Sequence, residues 1–103
     1  MMIVRINGIE YQVKKARYVD VNGSIDNWGS CSFKEQTIEI SENLGYDRQV
    51  HTMWHELVHA ILYEYGIREF INEDKEELVC NLFASGIIGI LKKYDLDKFY
   101  EDE

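Results

Sequence analysis

No proline occurs anywhere in these 103 residues, and only two cysteines and three histidines do. The chain therefore has no proline-rich linker, and no repeat or low-complexity tract takes its place. Cys31 and Cys80 are too few for a disulfide framework and read as free thiols of a reducing compartment. Basic residues are also short: 11 Lys and Arg stand against 19 Asp and Glu, a net charge of −8. That balance excludes a nucleic-acid surface, which needs clustered cations. No apolar run approaches the roughly 18 residues of a membrane span, and Met1 to Ile6 lack the layout of a signal peptide. The expected location is cytoplasmic, away from membranes. What the chain does have is 46% apolar and 13% aromatic residues. This suits one compact domain over residues 1–103 and not an acidic disordered tail.

Two of the three histidines fall in one short run, His55-Glu56-Leu57-Val58-His59. On a helix, a four-residue step advances about 400°, so both imidazoles lie on one face a turn apart, within reach of one ion at about 2.1 Å from each nitrogen. Glu56 stands about 100° round from His55, where it can flank the metal and take a proton from metal-bound water without being a ligand. Val50, Met53, Trp54, Leu57, Val58, Ile61, Leu62 and Tyr65 recur at three- and four-residue steps, predicting an amphipathic helix over about 46–65 that stops at Gly66. The competing role, a pair of core histidines, requires burying two neutral imidazoles without partners, which is costly.

A third ligand is required. His51 lies one turn before His55, but side chains at i, i+4 and i+8 span about 12 Å of helix axis and cannot converge on one ion. The metzincin pattern needs Gly and His three and six residues after His59; Leu62 and Tyr65 stand there, and no later histidine exists. The candidates pass to the acidic run Glu73 to Glu77, which opens a second predicted helix over about 73–93. Glu77 is the first choice and Glu76 the second. On the helical face that follows Glu77 come Cys80, Asn81, Ala84 and Ser85, all short, so two helices can approach closely. Asn81, one turn on, is placed to accept a hydrogen bond from a ligand histidine. The competing role for these acids is capping, with Asp74 and Glu77 as a capping box.

The N-terminal third reads as strands. Ile3, Val4 and Ile6, then Asn7-Gly8, then Ile9, Tyr11 and Val13 predict a hairpin with a turn of positive φ. An extended stretch is expected over Arg17 to Val21, ending at Asn22-Gly23. Thr37 to Ile40 alternates in strand fashion directly before the metal helix. It is expected at a sheet edge, either an ordinary half-buried one or one that accepts an extended peptide. Lys92 and Lys93 read as favourable charges at a helix end. The final acids, with Phe99 and Tyr100, are expected to dock or fray.

The runs His55-Glu56-Leu57-Val58-His59-Ala60-Ile61-Leu62 and Glu77-Leu78-Val79-Cys80-Asn81-Leu82-Phe83-Ala84 together resemble the ImmA/IrrE-type metallopeptidases of bacteria, phages and integrative elements. The resemblance covers about residues 36 to 91. Cys80 stands where that family usually has alanine, and the helix-turn-helix domain and C-terminal extension of many relatives are not among these residues. The resemblance implies a short phage or mobile-element form of a gluzincin-like enzyme, with His55, His59 and Glu77 on zinc and Glu56 as general base. Its partner would be a polypeptide substrate, often a phage or element repressor. The implied fold is α+β: a small zincin-like domain with an N-terminal antiparallel sheet over about 2–40 and two packed helices. The same ligands accept manganese, iron or cobalt. The oxyanion stabiliser would come from the tyrosines or His51. Two alternatives differ in class. One is a deformylase-like amide hydrolase taking Cys31 of Gly29-Ser30-Cys31-Ser32 as third ligand. The other is a non-catalytic module in which zinc braces two helices.

Overall fold

A computed structural model of the chain describes residues 1–93, 95, 97 and 98. Four strands come first: β1 (Met2–Ile6), β2 (Ile9–Ala16), β3 (Gly29–Ser32) and β4 (Thr37–Ser41). Helix α1 (Tyr46–Glu64), a 3₁₀ turn (Ile67–Phe70) and helix α2 (Glu73–Lys93) follow, giving the α+β class the sequence predicts. Phe99 and Tyr100 lie outside the described residues.

The β1–β2 hairpin closes on Asn7 and Gly8 at φ 51° and 79°. Both central residues of such a turn must adopt positive φ, which is why an Asn-Gly pair sits there. Its tip is held to the far end of α1: Asn7 Nδ2 donates to the Glu64 carbonyl at 3.1 Å. The buried Tyr11 hydroxyl donates to the Glu64 carboxylate at 2.5 Å.

Three expectations for the sheet need correction. The spatial order is β1-β2-β4-β3, and β2 and β4 run parallel, so the sheet is mixed and not antiparallel throughout. β4 is an inner strand and not an edge, since it pairs with β2 on one side and with β3 on the other, and its Ile38 and Ile40, 0% and 3% exposed, anchor the core. The edges are β1 and β3, and sequence patterning missed β3: Gly-Ser-Cys-Ser has no β-branched residue and no apolar alternation. It is a strand because β4 pairs with it and because Gly29 lets it close on α1. A Cβ at Gly29 would stand 2.5 Å from Thr52 Cγ2 and 3.3 Å from Glu56 Cγ. Finally, Arg17 to Val21 forms isolated bridges, Val19 with Asp26 and Val21 with Ser24, and not a strand.

Helix α1 lies on the sheet. Leu57 and Ala60 meet Ile6, Tyr11, Val13, Ile38 and Ile40 in the main core. On its other flank Val58 and Leu62 pack with the fully buried Cys80 of α2. The short face foreseen on α2 is the contact face, since Cys80 and Ala84 are both 0% exposed. Gly66, at φ 75°, ends α1 in the left-handed conformation and begins the reversal. The helices run antiparallel: Lys92 in the last turn of α2 reaches Asp47 in the first turn of α1 at 3.1 Å. That exposed pair adds little stability, but it marks the register. Among the described residues, no helix is long and apolar enough to cross a membrane.

Candidate metal centre

His55 and His59 project from the middle of α1 towards the first turns of α2, where Glu77 meets them. His55 Nε2 lies 3.2 Å from Glu77 Oε2, and His59 Nε2 lies 3.0 Å from Glu77 Oε1. The two Nε2 atoms are 3.2 Å apart. The Glu77 carboxylate thus spans the pair, one oxygen to each imidazole, and one ligand atom from each of the three residues lies within 4.8 Å of the others, close enough to share one ion.

Hydrogen bonding on the opposite ring edges decides what the inner edges can do. His55 Nδ1 faces Asn81 Oδ1 at 2.8 Å, and His59 Nδ1 faces Glu76 Oε2 at 2.5 Å. An amide oxygen and a carboxylate accept, so each Nδ1 carries the proton and donates it. In the neutral ring Nε2 is then left with a lone pair, and both Nε2 atoms face the Glu77 carboxylate. Electron-rich groups that close together repel unless a proton or a metal cation lies among them, and two imidazoles with one carboxylate are a donor set that fits a divalent metal.

The structure assigns the neighbouring acids differently from one another. Glu76, the second candidate ligand, points away from the convergence: it is 5% exposed and is held between His59 and Arg68 Nε, the latter at 2.7 Å. Burial alone would raise its pKa, but the hydrogen bonds from Arg68 and His59 outweigh burial and hold the carboxyl below the ordinary 4.5. The cap of α2 is Asn72, whose Oδ1 accepts from the Lys75 amide at 2.8 Å, and not an Asp74–Glu77 box. His51 contacts Ser85 Oγ at 3.2 Å and stands outside the ligand group, as its spacing requires. Cys31 is also outside that group; it packs against the main core, and burial pushes its thiol up to about 12. A cysteine-ligated, deformylase-like site is therefore not what this chain builds.

Glu56, on the same turn as His55, is 8% exposed. Burial pushes its carboxyl up to about 7, with His59 opposing the rise and Glu77 adding to it. His55 is moved the other way, chiefly by burial and then by His59, so it is held neutral to lower pH than a free imidazole. Glu56 and His55, displaced in opposite directions in one recess, are the kind of pair that acid–base chemistry at a metal needs.

The family model of the IrrE N-terminal-like domain, Peptidase_M78, matches residues 4–88. The chain belongs to this family. The match takes in the sheet, α1 with His55 to His59, and Glu77 and Asn81 on α2. Membership of the IrrE N-terminal-like family supports a metallopeptidase-like role for this domain. No curated protein and no solved structure matched the chain. Sequence reading missed Arg68 as part of the centre, and with it the role of Glu76. Arg68 lies in a connector without periodic pattern, so nothing local marks it.

Proposed function

We propose that this IrrE-like domain is a zinc-dependent endopeptidase, with His55, His59 and Glu77 as ligands and Glu56 as general base. Its substrate in this reading is a polypeptide, a regulatory protein of a phage or mobile element. The observation that carries the proposal is the meeting of two imidazoles and one carboxylate, with ligand atoms within 4.8 Å of one another. Among the described residues only these three donors converge, whereas a structural zinc site is normally closed by four. That count favours hydrolysis over a zinc brace between helices.

When bound, the ion supplies a Lewis acid that acidifies water and polarises a peptide carbonyl. Glu56 takes the proton from the attacking water and passes it to the leaving amine. Its burial beside His59 and Glu77 places the carboxyl where it can serve both steps. Strand β3, whose outer side pairs with no described strand, runs beside Glu56 through Gly29 and offers backbone groups on which an extended peptide can lie.

The test uses Glu56→Gln and His59→Ala. Zinc near one per chain in Glu56→Gln by mass spectrometry, with cleavage of a peptide library abolished, is the expected result. Persistent cleavage removes Glu56 as base. Unchanged zinc binding by His59→Ala removes the metal centre itself.

A further inference from the structure

The two histidines are held from behind by unlike partners. Asn81, a neutral amide on α2, holds His55. A charged chain holds His59: Glu76 Oε2 accepts from His59 Nδ1, and Glu76 Oε1 accepts from Arg68 Nε. Arg68 belongs to the 3₁₀ turn between the helices, and its guanidinium lies over the Phe33 ring at 4.8 Å and 6.0 Å from the Tyr63 ring centre. Those rings stack on each other at 4.2 Å with 2° between their planes. Phe33 comes from the β3–β4 turn and Tyr63 from the last turns of α1, so three segments converge on one side chain.

We propose that Arg68 is a positioning residue for the metal ligand His59, acting through Glu76, so that the helix connector sets the affinity of the centre. This rests on the metalloenzyme reading above. A buried carboxylate with one hydrogen-bonded oxygen can rotate. With Arg68 on the other oxygen both oxygens are engaged and the carboxylate is held in one orientation. The plane of the His59 ring is then fixed with Nε2 towards Glu77. Outer hydrogen-bond partners of this kind typically govern metal affinity by 10–100-fold. The Arg68 side chain is 38% exposed, and the aromatic pair supplies the contact that holds its guanidinium in place. A cation over a ring face is held there electrostatically.

The experiment measures zinc affinity by competition with a chromophoric chelator in the wild-type chain, Arg68→Met, Glu76→Gln and the double variant. Methionine keeps the aliphatic cover over Phe33 and Tyr63 and removes the hydrogen bond, so a packing role for Arg68 would survive the change. Weakening of about tenfold in Arg68→Met is expected. The double variant should be no weaker than Glu76→Gln alone, because Arg68 acts only through Glu76. Wild-type affinity in Arg68→Met, or additive losses in the double variant, overturns the proposal. If Glu76→Gln does not fold, Arg68→Met decides alone. Failure of the wild-type chain to bind zinc would instead strike at the metal centre, so the two failures are distinguishable.

Discussion

Asn81 Oδ1 accepts the Nδ1 proton of His55 at 2.8 Å, one helical turn beyond Glu77, so a single face of α2 supplies a ligand and the group that orients another ligand. Asn81→Ala leaves His55 free to rotate and to change tautomer. Zinc affinity should fall by about 10-fold or more with the fold retained, measured by chelator competition beside far-UV circular dichroism. Undiminished affinity would mean that packing alone sets the ring.

Glu77 and Asn72 separate metal binding from helix capping. Glu77→Ala should abolish stoichiometric zinc while leaving the melting temperature of the metal-free protein nearly unchanged, because Glu77 is exposed and caps nothing. Asn72→Ala should do the reverse, costing about 1 kcal/mol of stability in denaturant unfolding with zinc content intact. Full zinc in Glu77→Ala would remove it as a ligand.

The displaced carboxyl of Glu56 gives a pH dependence to the metal-free protein. Its folded value near 7 lies above the ordinary 4.5, so between those values the folded chain binds the extra proton. The stabilisation is present in full below 4.5 and is lost as pH rises through 7. Comparison with Glu56→Gln in the presence of a chelator cancels every other titrating group. Wild type should lose about 3 kcal/mol relative to the glutamine variant across this window, read from urea midpoints. A constant difference would show that Glu56 titrates normally.

Gly29 is a close approach in the edge strand, and Gly29→Ala drives a methyl to 2.5 Å from Thr52 Cγ2. Overpacking of this kind costs about 1–3 kcal/mol. Thr52→Ser deletes the opposing methyl and should recover part of the loss, which a double-mutant cycle in thermal unfolding measures. Strict additivity would show that strand and helix do not meet at this point.

The sequence by itself determined the parts of this protein that rest on local periodicity. The histidine pair and Glu56 follow from helical spacing, and the spans of both helices follow from apolar steps. Gly66 and Asn7-Gly8 mark reversals because their backbones need positive φ. The short face of α2 was legible because Cys80, Asn81, Ala84 and Ser85 recur on one side of the helix, and the role of Asn81 because it follows Glu77 by one turn. Tertiary structure decided what local pattern cannot carry. The parallel β2–β4 pairing, the inner place of β4 and the existence of β3 depend on partners distant in sequence. The choice between Glu76 and Glu77 depends on the rotation of α2 against α1, since adjacent helical residues differ by about 100° in direction. Arg68 enters the centre only because the connector folds back over Phe33 and Tyr63, a contact between segments that share no sequence period.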